Sequence, residues 1–297
     1  MHNLVIASMF KNEGMIIGEW IRHHLECGVD HFYLIDNGST DTSCSVLQPF
    51  IKQGCVTLIS DPRRFERQTL DVKQWNNATK QCKPSPVKLA HTQMYLLNEH
   101  LLELIKQEAE WVWVIDTDEY VFSNVHSLRG VVQHVPDTVT EIWAPWRIFG
   151  SSGIDRHPVS IRSSFVNRMS DKRFIDRVLC HENVRGHGKT CTRVSALQRL
   201  GIHLCELDTR RTLLPDGKTV TNKSELSVWL KTWVPTDADT VHCNHYMVMS
   251  RQYFVECKMK RQGGDGRPNG AKDMARYWSR NNANDVADHL VEHALHP

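Results

Sequence analysis

Three carboxylates stand together in the middle of the chain, directly after an apolar run. Asp116, Asp118 and Glu119 follow the segment WVWVI at 111–115, which predicts a buried strand. Carboxylates held this close repel one another unless a cation compensates them. Oxygen ligands suit Mg²⁺ or Mn²⁺, and such ions commonly complete their coordination with phosphate oxygens. The D-x-D spacing therefore predicts a metal–diphosphate site at a strand end, and a solvated acidic turn is the alternative interpretation of so short a motif.

Two further acids follow other predicted strands. Glu13 comes shortly after the first strand, and Asp36 ends the second, HFYLID, just before the turn residues NGSTD. Ligands of open parallel sheets bind beyond the carboxyl ends of the strands. The acids that follow three predicted strands are therefore expected to lie at one crevice. Asp36 can accept hydrogen bonds there from a base or a ribose.

The elements that must position these acids alternate along the first half of the chain. Strand, helix, strand, helix, strand predicts right-handed crossovers and a parallel sheet. Asn12 is the expected cap of the first helix, and Pro49 is expected to break or kink the second. The stretch 61–85 reads as a loop, and a helix is expected over about 86–107. The predicted strands are 4–8, 31–36, 55–60, 111–116 and 140–150.

The second half gives weaker signals. Short strands are expected at 189–195, 201–207 and 241–248, and Asp216-Gly217 predicts a hairpin turn. Helices are expected over 250–262 and from about 271. The prediction is an α/β protein with a mostly parallel sheet flanked by helices. We expect one domain over 1–297, with a nucleotide-binding half to residue 122 and an irregular acceptor-binding half from 123.

Composition is that of an ordinary globular protein. The 297 residues are 40% hydrophobic and 24% charged, and the formal net charge of +2 predicts neither a nucleic-acid partner nor a membrane partner. Nine cysteines without a C-x-x-C pair favour reduced thiols over a disulfide framework or a zinc module. The N-terminus has no basic leader and no apolar run long enough to span a bilayer. These features predict a cytoplasmic protein.

Several segments together resemble a known enzyme group. MFKNEGMIIGEWIRHHLECGVDHFYLIDNGSTD, WVWVIDTDEY, WRIFGSSG and NHYMVMSRQYFVECKMKRQGG are similar to the glycosyltransferase family 2 and family 92 group, over about residues 4–264. The resemblance implies the GT-A fold, a Rossmann-like sheet. It also implies a metal-dependent, inverting transfer of a sugar from a nucleotide donor, with UDP expected, to a glycan acceptor.

The resemblance also implies roles for the acids at the crevice. Asp118 would ligate Mn²⁺ or Mg²⁺ directly, and Asp116 would contact the ribose or reach the metal through water. Glu119 would orient its neighbours, or else it is a surface acid. Glu13 and Asp36 would hold the base and the ribose. The third metal ligand is expected to be a late histidine, His245, with His203 and His242 as rivals. Further nucleotide contacts are expected from Lys88, Gln93 and Lys189, or else these are structural or surface residues.

Other residues are candidates for the acceptor side and for the diphosphate. Lys258, Lys260 and Arg261 would form a basic lid over the diphosphate, or else a solvated helix face. Trp146, Phe149 and Gly150 would pack against a sugar ring, unless the aromatic residues belong to the core. An inverting transfer needs a general base near the acceptor hydroxyl. Asp155 is the first candidate for the base, and Asp208 is the second.

Two other functions are compatible with D-x-D at a strand end. A phosphatase of the haloacid dehalogenase type would use the first aspartate, Asp116, as a nucleophile, but there the motif usually follows the first strand. A non-catalytic protein of the same fold would bind a nucleotide sugar without turnover.

Overall fold

A ten-stranded sheet forms the centre of the protein. The computed structural model describes residues 1–63, 68–76, 81–89, 92–179, 187–234, 236–260 and 271–291, and for 68–76, 81–89, 179 and 271–273 it describes the backbone only. The strands are β1 (His2–Phe10), β2 (His31–Asp36), β3 (Val56–Ser60), β4 (Gln68–Asn76), β5 (Gln81–Leu89), β6 (Ala109–Val114), β7 (Glu119–Phe122), β8 (Glu141–Ile148), β9 (Asn167–Arg168), β10 (Gly188–Arg193), β11 (Leu197–Arg199), β12 (Glu206–Leu207), β13 (Thr212–Leu213), β14 (Thr219–Val220), β15 (His242–His245) and β16 (Val286–Ala287).

Helices connect and cover these strands. They are α1 (Ile17–Glu26), α2 (Ser43–Lys52), α3 (Thr92–His100), α4 (Leu102–Glu108), α5 (Leu128–His134), α6 (Ile161–Ser164), α7 (Asp171–Leu179), α8 (Lys223–Thr232), α9 (Arg251–Tyr253) and α10 (Ala271–Asn281). A π-helical turn at 254–258 continues α9.

The first half of the chain supplies a parallel sheet in the order β3–β2–β1–β6. Helix α1 connects β1 to β2, and α2 connects β2 to β3. The carboxyl ends of β1, β2 and β6 therefore meet at one edge, which we call the carboxyl edge. The α/β architecture with a mostly parallel sheet is the one that the sequence predicted.

The second half extends the sheet and changes its direction. Strand β10 lies antiparallel between β6 and β8, so β8 runs parallel to β6. Strand β15 pairs in parallel with β8 and antiparallel with β7. The register of the last pair sets His245 opposite Glu119. A late strand is thus placed directly beside the D-x-D segment.

Three of the four parallel strands, β1, β2 and β6, are largely buried on both faces. Leu4 and Ile6 of β1 belong to one apolar cluster, whereas Val5 and Ala7, which alternate with them, belong to a second cluster. Side chains of a strand alternate between the faces of a sheet, so a strand covered on both sides reads as a continuous apolar run. This burial explains why the strands of the first half were predictable.

A hairpin replaces part of the loop that was expected at 61–85. Strands β4 and β5 pair only with each other among the described elements, in antiparallel register. The helix expected from residue 86 begins instead at Thr92. Lys88 consequently lies in β5 rather than on a helix, and its side chain lies outside the described part of the chain. A two-stranded hairpin outside the main sheet needs no regular apolar face, so its sequence carries no clear period.

One local prediction in the first half is wrong, and of the two outcomes expected of Pro49, a break or a kink, the break does not occur. Asn12 does not cap α1, which begins at Ile17; it adopts a left-handed backbone, and its Oδ1 accepts a hydrogen bond from the Thr40 N–H at 2.8 Å. Pro49 lies inside α2 without ending it. Its missing N–H would have bonded the carbonyl of Ser45, an exposed residue whose carbonyl can bind water instead.

The described helices are all too short or too polar to cross a membrane. The seven cysteines whose side chains are described carry free thiols, as the sequence predicted for them.

Candidate functional site

Glu13 lies at the carboxyl edge, in the loop after β1. It is fully buried, and its backbone N–H donates to Ser43 Oγ at 2.8 Å. Its carboxylate Oε2 accepts a hydrogen bond from the Tyr253 hydroxyl at 2.5 Å. Sequence reasoning missed Tyr253, because its partner lies 240 positions earlier in the chain.

Asp36 ends β2 and organises the turn that follows it. Its Oδ1 accepts the Ser39 N–H at 2.8 Å, and its other oxygen, Oδ2, lies 3.4 Å from the Cys44 thiol. The side chain is buried at the carboxyl edge. This position is compatible with the expected contact to a base or ribose.

Asp116 projects from the end of β6 and is held by two side chains. Gln93 Nε2 donates to Oδ1 at 2.9 Å, and Lys189 Nζ donates to Oδ2 at 3.1 Å. Burial alone would raise the pKa of Asp116, but Lys189 and Gln93 together hold it below its usual value. The side chain is still 36% exposed, so it can contact a ligand.

Lys189 forms ion pairs with both Asp116 and Glu119. Its fully buried Nζ lies 3.1 Å from Asp116 Oδ2 and 3.1 Å from Glu119 Oε2, and it donates to the Ile202 carbonyl at 2.9 Å. Burial would lower the pKa of this lysine, but Asp116 and Glu119 raise it overall. The expected nucleotide contact of Lys189 is therefore indirect in this structure: the ammonium positions Asp116.

Asp118 is paired with a second buried lysine. Lys258 Nζ lies 2.6 Å from Asp118 Oδ2 and also donates to the Met247 carbonyl. Burial opposes ionisation of Asp118, but Lys258 and His245 lower its pKa well below the usual range. Lys258 is thus a direct partner of the acid rather than a distant lid. Lys260 is exposed, and Arg261 lies outside the described residues.

His245 lies between Asp118 and Glu119. Its Nε2 is 3.5 Å from Asp118 Oδ1, and its Nδ1 is 3.7 Å from Glu119 Oε1. The ring of Trp146 packs edge-on against the imidazole, with 4.4 Å between ring centroids. Among the described histidines, His245 is therefore the one whose ring nitrogens lie within 4 Å of the carboxylates of Asp118 and Glu119.

The two rival histidines make other contacts. His203 Nδ1 lies 3.1 Å from the Gly188 carbonyl, and burial and Lys189 lower its pKa to about 4. His242 begins β15, three positions before His245, where its Nε2 lies 3.2 Å from Asn124 Nδ2. Neither ring forms an ion pair with the D-x-D carboxylates among the described contacts.

Glu119, like Glu13, is fully buried. Its Oε2 accepts the Asp116 backbone N–H at 2.8 Å. Burial raises the pKa of Glu119 to about 7, although the Lys189 ammonium acts in the opposite direction. The buried carboxylate of Glu119 therefore stabilises the backbone of the D-x-D turn through its hydrogen bond with the Asp116 N–H.

The donor atoms at Asp118 and His245 fit a divalent cation. An octahedral ion with bonds of about 2.1 Å places neighbouring ligand atoms about 3 Å apart, close to the 3.5 Å between Asp118 Oδ1 and His245 Nε2. Carboxylate oxygen with imidazole nitrogen suits Mn²⁺ better than Mg²⁺. Asp116 fits less well as a direct ligand, because both of its carboxylate oxygens are already hydrogen-bonded.

A second cluster of potential ligands lies after β3. Among the described residues, Asp61, Glu99 and His100 bring one ligand atom each within 4.8 Å of one another. Arg63 already fills this cluster, with Nη2 2.5 Å from Asp61 Oδ2 and 2.7 Å from Glu99 Oε2. The cluster is therefore an ion-pair network in this structure.

The expected acceptor residues are mostly core residues. Phe149 is fully buried against Tyr246, with 4.9 Å between ring centroids, so it offers no face to a sugar. A Cβ on Gly150 would lie 2.4 Å from the Ala283 carbonyl oxygen, so this glycine permits close backbone packing. Trp146 is also buried, but its ring packs against His245, which lies beside Asp118 and Glu119.

The two candidate bases lie at different edges of the sheet. Asp155 is exposed in the loop after β8, and its carbonyl accepts the Gln252 N–H at 2.8 Å, next to the segment that carries Tyr253. Asp208 is also exposed, but its N–H bonds the Ala196 carbonyl at 3.1 Å, after the far end of β10. Because β10 runs antiparallel to β6, this end lies opposite the carboxyl edge. The structure therefore does not bring Asp208 to the site.

Known proteins provide a comparison for this geometry. A glycosyltransferase family 92 protein of Ricinus communis is 34% identical over 50 residues, which are 17% of this chain and 9% of that protein. TarS 1–349 of S. aureus matches 69% of this chain and 52% of its own, with 12% identity and a TM-score of 0.37. The chain thus spans about half the length of that structure.

Another solved structure matches at a similar level. Glucosyl-3-phosphoglycerate synthase of Mycobacterium tuberculosis, in complex with Mn²⁺, uridine diphosphate and glucosyl-3-phosphoglycerate, matches 66% of this chain and 58% of its own, with 14% identity and a TM-score of 0.31. These scores are too low to carry an argument. The family model described as glycosyltransferase family 92 matches residues 4–269, nearly the whole chain. The chain therefore belongs to glycosyltransferase family 92.

Proposed function

We propose that this chain transfers a sugar from a nucleotide donor, a UDP-sugar, to a hydroxyl of a glycan acceptor, with inversion at the anomeric carbon. The proposal includes dependence on a divalent cation, Mn²⁺ or Mg²⁺. Membership of glycosyltransferase family 92 supports the class of reaction. The divalent cation is supported by the donor atoms of Asp118 and His245 at the carboxyl edge, whereas UDP and inversion are what the resemblance to the family implies.

One observation carries the proposal: both aspartates of the D-x-D motif lie at the carboxyl edge, and each is compensated by its own buried lysine. Two ammonium groups balance these two carboxylates, and Glu119, which shares Lys189, adds a third carboxyl group whose pKa burial raises to about 7, so the site carries little net charge before a ligand arrives. A diphosphate adds negative charge, which favours the simultaneous arrival of a cation. A divalent ion held by Asp118 and His245 would neutralise the charge that develops on the leaving nucleotide.

The other side chains would bind and orient the donor. Glu13 and Asp36 lie after β1 and β2, where a base and a ribose would contact the sheet. Gln93 fixes one oxygen of Asp116, which leaves the exposed part of that carboxylate to a ribose hydroxyl. The Lys258 ammonium, which donates to Asp118, can also donate a hydrogen bond to a nearby phosphate oxygen. A fixed ammonium there would stabilise the nucleotide as it leaves.

Asp155 is the proposed general base. It is an exposed carboxylate on the loop after β8, on the carboxyl-edge side of the sheet. An exposed position allows it to meet an acceptor hydroxyl that arrives from solvent. Replacement by asparagine should reduce transfer to an acceptor and leave nucleotide binding unchanged.

Nucleotide release from a donor panel tests the proposal. The protein is incubated with UDP- and GDP-sugars with Mn²⁺ or EDTA, with and without glycan acceptors. We expect metal-dependent release from a UDP-sugar, which Asp118→Ala should abolish. Asp137→Ala should leave it intact, because Asp137 is exposed and precedes β8, at the end of that strand opposite the carboxyl edge. The absence of release and of binding with every donor would overturn the proposal.

The same experiment separates the two alternatives. Tight nucleotide binding without release would favour a non-catalytic binding protein. Hydrolysis of p-nitrophenyl phosphate that is lost in Asp116→Asn would favour a phosphatase. Asp116 is poorly placed as a nucleophile, because Gln93 and Lys189 occupy both of its oxygens.

A further inference from the structure

Two buried polar atoms face each other beside the D-x-D segment. Glu119 begins β7, and the register of the sheet places His245 of β15 opposite it. Glu119 Oε1 and His245 Nδ1 lie 3.7 Å apart. Both atoms are buried, and among the described residues neither has a hydrogen-bond partner. Buried polar groups are rarely left unpaired, so this juxtaposition calls for an explanation.

The remaining atoms of both side chains are already engaged. Glu119 Oε2 accepts the Asp116 N–H at 2.8 Å and lies 3.1 Å from Lys189 Nζ. The carboxylate is therefore anchored through one oxygen, and its second oxygen points at the imidazole. The opposite ring nitrogen, Nε2, lies 3.5 Å from Asp118 Oδ1.

We infer that Glu119 is a positioning residue for His245: its Oε1 accepts the Nδ1–H of the imidazole and thereby turns the lone pair of Nε2 towards Asp118. A shift of less than 1 Å would bring the two atoms to about 2.9 Å, an ordinary hydrogen-bond distance. Histidines that bind metals commonly donate their other ring N–H to a carboxylate, which fixes the tautomer. The inference rests on the proposed function only where it involves the metal.

A competing explanation gives Glu119 a different role. Its carboxylate could serve solely as a counter-ion of Lys189 and a brace for Asp116, without any effect on the histidine. The two explanations differ in whether the effect of Glu119 passes through His245. A double-mutant cycle measures that dependence.

The first measurement needs neither metal nor activity. In the metal-free protein labelled with ¹⁵N-histidine, long-range proton–nitrogen spectra identify the tautomer of His245, assigned by its loss in His245→Gln. We expect the Nδ1–H tautomer in the native protein and a mixture or the opposite tautomer in Glu119→Gln. Glu141→Gln is the matched control, because Glu141 is also fully buried but pairs with Arg210 at the other edge of the sheet. It should leave the tautomer unchanged.

The second measurement is the affinity for Mn²⁺ in the presence of UDP, from the electron paramagnetic resonance signal of free Mn²⁺. Removal of a partner of a metal-bound histidine typically weakens binding about 10–100-fold, and we expect that loss in Glu119→Gln. In the His245→Gln background, the same change should have no further effect. Circular dichroism of each variant verifies that it is folded.

Three results would overturn the inference: an Nε2–H tautomer in the native protein, an unchanged tautomer in folded Glu119→Gln, or independent losses that multiply in the double variant. Absence of Mn²⁺ binding in the native protein would count against the proposed function. The tautomer measurement would still decide the role of Glu119 in that case.

Discussion

Lys258→Met tests whether the ammonium of Lys258 is the internal counter-ion of Asp118. The two groups are 2.6 Å apart, and their side chains are only 6% and 9% exposed. Removal of one partner from a buried ion pair typically costs about 3–5 kcal/mol, because the other charge stays buried without compensation. Roughly 2 °C per kcal/mol is expected for a chain of this length, so the melting temperature should fall by roughly 6–10 °C.

Mn²⁺ should restore part of that loss. In the variant, both oxygens of Asp118 are open to a cation, whereas in the native protein Lys258 occupies Oδ2. A ligand at 100 times its dissociation constant stabilises a protein by about 2.7 kcal/mol. We therefore expect Mn²⁺ to raise the melting temperature more in Lys258→Met than in the native protein.

Differential scanning calorimetry with MnCl₂ or EDTA measures both effects. Lys260→Met is the matched control, because that lysine is exposed two positions further on. It should change the melting temperature by less than about 1 °C. A melting temperature of Lys258→Met equal to that of the control would refute the counter-ion role. Equal Mn²⁺ increments in all three proteins would refute the competition between Lys258 and the cation.

Three further predictions concern residues around the site. Tyr253→Phe removes the hydroxyl that donates to Glu13. Urea unfolding should show that the free energy of unfolding falls by about 1–3 kcal/mol. An unchanged urea midpoint would contradict the buried hydrogen bond. Gly150→Ala places a Cβ against the Ala283 carbonyl. Chemical denaturation should therefore show that the free energy of unfolding falls by about 1–3 kcal/mol. An unchanged free energy would mean that the backbone around Ala283 moves aside at no cost. Burial raises the pKa of Glu119 from 4.5 to about 7 in the metal-free protein. The folded state thus binds the carboxyl proton of Glu119 more tightly than the unfolded state does. The contribution of Glu119 to the free energy of unfolding therefore falls as pH rises from 4.5 to about 7. Glu119→Gln should therefore gain stability relative to the native protein between pH 4.5 and 7, and parallel pH profiles would exclude this assignment.

Burial on both faces made the first half of the fold predictable. The segment HFYLID contains the continuous hydrophobic run FYLI, and it forms β2 over His31–Asp36. Because parallel strands end at one edge, the positions of Asp36 and Asp116 after their strands were enough to predict a shared crevice. Local sequence therefore identified the acids of the site.

The partners of those acids depend on pairings that short segments do not reveal. Strands β7 and β15 have four residues each, too few to show a period, although their pairing sets His245 beside Glu119. The reversed direction of β10 takes Asp208 away from the site, and no local pattern shows that reversal. Phe149 is an aromatic residue near glycines, which fits a sugar contact and a core position equally well until its burial is known.

The ion pairs of the site join distant parts of the chain. Asp118 and Lys258 are 140 positions apart, so a ribosome that has just completed the parallel sheet has not yet made the lysine. Synthesis proceeds from the N-terminus at about 5–20 residues per second. The growing polypeptide consequently passes through a stage in which the strands of the parallel sheet and Asp118 have been made but Lys258, the counter-ion of Asp118, has not. The ion pair of Asp118 therefore cannot form before the segment that carries Lys258 has been made.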